Sequence, residues 1–430
     1  MDEQQVLWPQ DAYAAVVRSR TLPVVRKMLQ GESLSSWFVR TADAHGMSTQ
    51  HLGAWLMGRG RQVFAEDIDR GAWDALIQAL SRATGQATDI LMQGTLRVFE
   101  GRLWGEMPRQ GATRWILPVI KNGTYRMGYG VQYCARCLAT DEVPYLRLHW
   151  RLAFVVACPD HACLLQDRCD CCQAPVAVHR WRTGVLRDVS SSSIVWCHQC
   201  GADRRKLSIQ SQASVDLIVM QERMLAALQD AAVMVEEQLV HCLSFFAAAA
   251  MLWSLLDDSR AAGAVWGELG AEAPLFVNLT VERYGGFERR SVGQRAVLLA
   301  GFGSLLRRGV EEFVRGLALQ GLSGKTLLRY SSGRKTPVPF WYWTLIRKHL
   351  DRTPYVPSDG EIDEAIRYLV GTDGRAFVKV RDVCHLLGMA TKCNTRISTR
   401  MRDLGVPLRH ATGVAVNISR APFCENGPAV

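Results

Sequence analysis

The chain has no long run of strongly apolar residues, no leader pattern and no hydrolase signature, and it keeps few of its cysteines outside one stretch. Each lack removes a class of protein. The longest apolar stretch, Leu239 to Leu256, contains Phe245, Phe246 and four consecutive alanines, is interrupted by His241 and Ser244, and is closed by Asp257 and Asp258. A membrane-spanning helix needs about 20 strongly apolar residues, so this stretch reads as a buried core helix and no membrane partner is expected. The N-terminus, Met1-Asp2-Glu3-Gln4-Gln5, has neither a basic region nor an apolar core of a signal peptide, so the expected location is cytoplasmic. No H-E-x-x-H occurs, and the acidic residues do not gather beside an open set of metal ligands, which leaves a zinc nuclease or hydrolase as the less favoured class. Gly324-Lys325-Thr326 resembles the end of a P-loop, but the motif needs glycine at 319, where the chain has Leu319, and the preceding residues read as helix rather than strand, against an ATPase.

Acidic residues are also scarce where basic ones concentrate. Between Gly321 and Arg352 there are seven basic residues and one acidic, Asp351. Between Ser214 and Arg283 the balance reverses, with ten acidic residues against Arg223, Arg260 and Arg283. The whole chain carries a net charge of +10. Segregation of this kind marks the basic segments as candidate nucleic-acid surfaces and the acidic one as helical scaffold. With 430 residues, 48% of them hydrophobic, the chain can bury real cores, and its length corresponds to about three domains.

Of thirteen cysteines, nine lie between Cys134 and Cys200. They form four pairs with two-residue gaps: Cys134 with Cys137, Cys158 with His161, Cys169 with Cys172, and Cys197 with Cys200. One tight turn with this gap lets two side chains reach one ion, and two such turns complete a tetrahedral shell. The spacing therefore predicts two structural zinc ions per chain, one held by three Cys and one His, the other by four Cys. Without an export signal, paired thiols favour metal over disulfides. Three features leave the ligand choice open: Cys171 adjoins Cys172 and permits a C-x-C pair, while Cys163 and His198 are spare donors. With eight ligands for two ions, neither site needs an open position, so catalysis by the metal is not expected.

Taken in order, residues 1–30 read as an extension broken at Trp8-Pro9 and Leu22-Pro23. Residues 31–130 read as an N-terminal helical region. Ser33 or Ser35 caps a helix with Trp37, Phe38 and Ala42 on its apolar face, Gly46 ends it, and Ser48 caps a second with Leu52, Trp55 and Leu56 inward. This is the outline of either a helix-turn-helix or an ordinary αα-hairpin. Ile68, Trp73, Leu76, Ile77 and Leu80 continue at helical spacing, Thr84-Gly85 breaks the pattern, and a further run spans Ile90 to Val98. Residues 101–130 read as irregular.

Residues 131–206 form the cysteine-rich core. Within it, Leu146, Trp150, Ala153 and Phe154 suggest a short helix, Gly201 suits a metal knuckle that needs positive φ, Val176 and Val178 suggest a hairpin, and Arg182 to Ser193 is a polar loop. Residues 207–310 read as a helical scaffold, with Leu217, Met220, Met224, Leu225 and Leu228 as a core stripe and a break at Gly285-Gly286.

Residues 311–353 read as a helix, a turn at Gly321 and a second helix capped by Ser323. That helix would carry Lys325, Thr326, Arg329 and Tyr330, followed by Arg334 and Lys335, as a major-groove helix with phosphate contacts requires. A solvated basic face is the plainer alternative. Residues 354–430 repeat the outline, with one helix over 380–387, a turn at Gly388-Met389-Ala390, and a second helix over 391–404 bearing Lys392, Arg396, Arg400 and Arg402. An alternating stretch from Val414 to Ile418 suggests a wing. The expected fold is thus mainly α with small zinc-binding modules: an N-terminal helix-turn-helix-like region, tandem zinc fingers, and a helical C-terminal half with helix-turn-helix or winged-helix-like DNA-binding units.

These residues resemble the TniQ family, also called TnsD-like, of transposon target-selection proteins. The resemblance starts at Glu32-Ser33-Leu34-Ser35-Ser36-Trp37 and resumes at Tyr133-Cys134, Cys137-Leu138 and Pro144-Tyr145-Leu146-Arg147-Leu148, with Trp150-Arg151. It continues through Val156, Cys158-Pro159, His161 and Leu164-Leu165 to Cys169, and closes at Cys197 and Cys200-Gly201. It covers residues 25 to 205, and the extra Cys163 and Cys171 depart from the family pattern. The resemblance implies a target-site selection adaptor rather than an enzyme. Such an adaptor marks double-stranded target DNA, directly or by riding as a homodimer on a CRISPR effector complex, and recruits the transposon's AAA+ ATPase and through it the DDE transposase. It also implies zinc at Cys134, Cys137, Cys158, His161, Cys169, Cys172, Cys197 and Cys200, and a nucleoid-associated location. A stand-alone zinc-containing DNA-binding regulator is the alternative.

Overall fold

The structure, a computed structural model, describes residues 21–58, 60–71, 74–108, 111–119, 129–180, 193–206, 210–278, 286–324, 326–328, 338–350, 357–371, 378–387 and 395–406. It is mainly helical, with two short hairpins among the described residues. The chain divides into two compact units, Met1–Leu350 and Asp351–Val430, each with its own apolar core.

The first unit opens with the helix pair that the apolar spacing predicts. Ser33 caps α1 (Leu34–Ala44), its side chain accepting from the Ser36 amide. Gly46 turns the chain at φ +61°, and Ser48 caps α2 (Thr49–Met57) by accepting from His51. α1 is buried around most of its circumference, from Ser36 through Ala42, and α2 contains no lysine or arginine. The pair keeps the helix-turn-helix or αα-hairpin outline, with α1 set in the core and α2 buried at Thr49, Leu52 and Gly53. The next segment departs from the predicted spacing. Ile68 lies in a 3₁₀ turn, Ile68–Arg70, followed by Gly71 at φ +148°; Trp73 lies outside the described residues, and Leu76, Ile77 and Leu80 are in α3 (Asp74–Thr84). The run to Val98 likewise splits into α4 (Thr88–Gln93) and a 3₁₀ turn, Leu96–Phe99.

Within the irregular stretch after residue 101, Trp115 is buried. Its ring stands edge-on to Phe154, Phe246 and Trp253 at 5.8, 5.7 and 5.3 Å between centroids, and its indole N–H donates to the Phe246 carbonyl. This cluster joins the N-terminal region to the later helices. α5 (Ala135–Thr140) follows. The helix expected through Trp150 and Phe154 is a single 3₁₀ turn, Leu148–Arg151, followed by extended Leu152 and a turn at Ala153 and Phe154. Leu152 through Ala157 are each fully buried, so the stretch has no amphipathic period from which its conformation can be read. β1 (Ala157–Cys158) pairs antiparallel with β2 (Cys163–Leu164).

Residues 207–310 hold α6 (Val215–Asp230), a hairpin of β3 (Ala232–Val235) and β4 (Gln238–His241), α7 (Cys242–Leu256), α8 (Ala262–Glu268), α9 (Leu275–Asn278) and α10 (Val292–Arg308), and α11 (Val310–Leu319) and α12 (Phe340–Leu350) follow in the same compact unit. Leu217, Met220, Met224 and Leu228 are buried as the stripe predicts. The apolar run from Leu239 divides, its first residues completing β4 and the rest forming α7, which is buried on nearly all sides. No helix among the described residues is long and apolar enough to cross a membrane. Gly301 of α10 allows a close crossing: a β-carbon there would meet the Trp266 ring of α8 at 2.8 Å.

In the second unit α13 (Asp359–Gly371), α14 (Val380–Leu386) and α15 (Thr395–Asp403) enclose Ile362, Ile366, Val378, Val383, Cys384, Ile397 and Met401. The turn expected at 388–390 and the wing at 414–418 lie outside the described residues, as does the polar loop at 182–192.

Candidate metal centres

Two groups of four donors form where the gaps predict them, each with its ligand atoms within 4.8 Å of one another: Cys134, Cys137, Cys158 and His161, and Cys169, Cys172, Cys197 and Cys200. In the first, Cys134 caps α5 and Cys137 lies in its first turn. The β1–β2 hairpin brings Cys158 and His161 opposite. The sulfur of Cys137 is 3.5 Å from that of Cys158, and Nδ1 of His161 is 3.6, 3.3 and 3.5 Å from Cys134, Cys137 and Cys158. In the second, Cys169 is 3.7 Å from Cys200 and Cys172 is 3.7 Å from Cys197. Zinc–sulfur bonds of about 2.3 Å give tetrahedral sulfur–sulfur edges of about 3.8 Å, whereas a disulfide requires about 2.0 Å. The edges fit a shared ion, and these cysteines are free thiols.

The local backbone explains how each pair points both side chains inward. The two pairs of the second group are built alike. Cys169 and Cys197 donate their amides to the carbonyls of Ala174 and Ala202, five residues on, and accept from the amides of Gln173 and Gly201, four residues on. Gln173 and Gly201 both have positive φ, +59° and +71°. Ala162, next after His161, repeats the conformation at +47°. Knuckle amides also aim at sulfur: those of Cys200 and Gln199 favour the thiolate of Cys197 against its burial.

The spare donors stand outside both groups. Cys171 is exposed. Cys163 lies 3.8 Å from the sulfur of Cys134 but receives the Gln210 amide at 2.9 Å. His198 is pushed down to about 4 by burial and by the nearby Arg204 and Arg180. With four protein donors in each group, neither presents an open coordination position of the kind that catalytic zinc uses. Either group could hold a metal ion such as zinc. Among the described residues Val176 and Val178 are in no hairpin: both are buried, Val178 opens the 3₁₀ turn Val178–Arg180, and residues 181–192 of the expected hairpin region lie outside the described residues.

A buried polar lattice, not foreseen from the sequence, fixes the first group against α1. Glu32 accepts from the Leu29 amide at 3.0 Å, the Ser36 hydroxyl at 2.8 Å and Arg40 at 2.6 Å. The Leu146 amide donates to that same hydroxyl at 3.0 Å, and its carbonyl accepts from the Ser33 amide at 2.9 Å. Ser35 donates from its amide and hydroxyl to Asp69 at 2.6 and 2.7 Å, and Arg151 bridges Asp69 and Asp67 at 2.8 and 2.7 Å. The segments beginning at Glu32 and Pro144 are therefore two sides of one interface. Their partners are far apart in the chain, and no local spacing announces them.

The candidate DNA-contacting residues are placed less completely. Lys325, Arg329, Tyr330, Arg334, Lys335 and Lys392 lie outside the described residues. Ser323 does cap the turn after Gly321, accepting from the Thr326 amide at 3.4 Å, with the Thr326 hydroxyl 3.2 Å away. Arg396 pairs with Asp359 at 2.6 Å, and Arg400 pairs with Asp363. Both guanidinium groups are directed back onto α13.

The fold and these centres define a class: a mainly helical protein stiffened by two closed Cys/His centres beside its N-terminal helices. Residues 23–165, a third of the chain, match the family model TniQ. The TniQ domain is linked to transposon target-site selection. No curated protein matches the chain.

Proposed function

We propose that this protein is the target-site selection adaptor of a DDE-type transposon, binding target DNA and recruiting an AAA+ ATPase and through it the transposase. The TniQ match over residues 23–165 carries the reading. The closed centres support it, because they are built for rigidity: two zinc ions, one at Cys134, Cys137, Cys158 and His161 and one at Cys169, Cys172, Cys197 and Cys200, would hold the interface of α1 with Pro144–Arg151. Structural zinc contributes on the order of 10 kcal/mol to the folding of small modules.

The basic segment from Gly321 to Arg352 and the three-helix unit after residue 354 are the DNA surfaces in this reading, with Lys325, Thr326, Arg329, Arg334, Lys335, Lys392, Arg396 and Arg400 as contacts. Footprinting of purified protein on target DNA tests direct recognition. Protection above that of random DNA is expected. Its absence would favour delivery by a guide-RNA effector complex, with the protein dimeric. A stand-alone DNA-binding regulator is the second reading, since positive charge in a zinc-containing helical protein suits it equally. Co-purification separates the two, because only the adaptor retains an AAA+ ATPase.

A further inference from the structure

The four-cysteine centre has a neighbour that the ligand pattern does not account for. Arg204 is 3% exposed. Its amide donates to the Val195 carbonyl at 2.7 Å, and the Trp196–Asp203 bridge closes the same turn, so the side chain starts directly behind the knuckle of Cys197 and Cys200. One guanidinium nitrogen, Nη1, donates to the Ile194 carbonyl at 2.7 Å. Nε and Nη2 are sealed from solvent and find no acceptor among the described residues. No carboxylate among those residues pairs with it. The Tyr133 ring stands 6.0 Å away. Burial lowers the guanidinium below its ordinary value, and the groups that oppose this are Tyr133, Cys197, Cys169 and Cys200. The thiols of Cys169, Cys197 and Cys200, whose knuckle Arg204 backs, are the groups beside it that become anionic when they hold a metal ion.

A buried guanidinium without a counter-charge is strongly unfavourable. A zinc ion with four thiolates carries two net negative charges, and one with three thiolates and a neutral histidine carries one. The more negative of the two centres is the one beside this arginine. We propose that Arg204 is the built-in counter-charge of the four-cysteine centre, so that zinc at Cys169, Cys172, Cys197 and Cys200 and the cation at Arg204 are each retained because of the other.

The inference rests on zinc being the resident ion, and the test separates the two ideas. Elemental analysis of the wild-type protein comes first: two zinc ions are expected, and fewer would remove the zinc reading itself. Given two, zinc release is titrated with a chromophoric chelator in wild type, Arg204→Met and Arg204→Lys. Loss of an outer-shell partner typically weakens metal binding about 10–100-fold. Arg204→Met is expected to release one of its two ions at roughly that much lower chelator concentration, with the other unchanged, while Arg204→Lys behaves as wild type. Cobalt substitution supplies a readout that packing alone would not move. A nearby cation stabilises sulfur lone pairs, so the sulfur-to-cobalt charge-transfer band should move to longer wavelength in Arg204→Met and stay in place in Arg204→Lys. If Arg204→Met fails to fold, the lysine variant decides: two firmly held ions support the proposal. Equal release from wild type and Arg204→Met, or loss of the ion in Arg204→Lys, would overturn it.

Discussion

At the scale of single residues, the strongest local demand is the backbone turn that follows three of the four inward pairs, Cys134 and Cys137 being set instead at the start of α5. Ala162, Gln173 and Gly201 all adopt positive φ, where a β-carbon costs roughly 1–2 kcal/mol. Only Gly201 is a residue that the sequence marks for this. Ala162→Gly should therefore stabilise the zinc-loaded protein by about 1 kcal/mol and Gly201→Ala should destabilise it by a similar amount, both read from urea midpoints. Ligand register is tested as directly: Cys171→Ala should leave two zinc ions per chain by elemental analysis, and Cys172→Ala should leave one. The two donor groups were legible because each pair is local, and a two-residue gap carries its own geometry. Arg151 was not, since its partners Asp67 and Asp69 lie more than eighty positions away. Removing one partner of a buried ion pair strands the other. Arg151→Met should cost about 3–5 kcal/mol, measured by equilibrium unfolding of the holo protein.

At the scale of elements, caps and glycines were read more reliably than apolar runs. Ser33, Ser48 and Ser323 each cap where expected, because a cap is decided by a few neighbouring groups. The run from Leu239 to Leu256 divides into strand and helix, and that from Leu146 to Phe154 forms a 3₁₀ turn and a second turn at Ala153 and Phe154, because burial on every side erases the period that tells helix from other chain. In the second unit, α13 and α15 are clasped by Asp363 with Arg400 and by Asp359 with Arg396. Arg400 holds the Asp363 carboxyl below the ordinary aspartate value. A carboxylate lowered in the folded state contributes stability above its unfolded value, near pH 4, and loses it as pH falls through the folded one. Cys384 is fully buried in this unit, so its modification by dithiodipyridine in the full chain reports opening. Modification should accelerate below about pH 4. It should already be faster at neutral pH in Asp363→Asn, which would then show a smaller acid step.

At the scale of the whole molecule, charge is distributed in a way that a single net value conceals. The stretch from Ser214 to Arg283 is acidic and belongs to the scaffold of the first unit, while the stretch from Gly321 to Arg352 is basic. The basic stretch includes pairs of its own, since Lys348 and His349 both meet Glu311 of α11. A charge already paired neutralises a phosphate only after giving up its partner, so the number of basic residues overstates the number of phosphates the protein would neutralise. If direct DNA binding is the route to the target, the logarithm of affinity should fall linearly with the logarithm of salt concentration, with a slope of about 0.9 per phosphate contacted. Arg400 makes the distinction sharp. In Asp363→Asn its guanidinium is released from α13, so an Arg400 that contacts phosphate should bind DNA more tightly at low salt and show a steeper slope. An Arg400 that serves only the clasp should weaken the second unit and leave the slope where it was. Fluorescence anisotropy with a labelled duplex across a salt series, on wild type, Asp363→Asn and Arg400→Gln, resolves the two. A flat salt dependence in all three would mean that the positive charge of this chain meets a partner other than DNA.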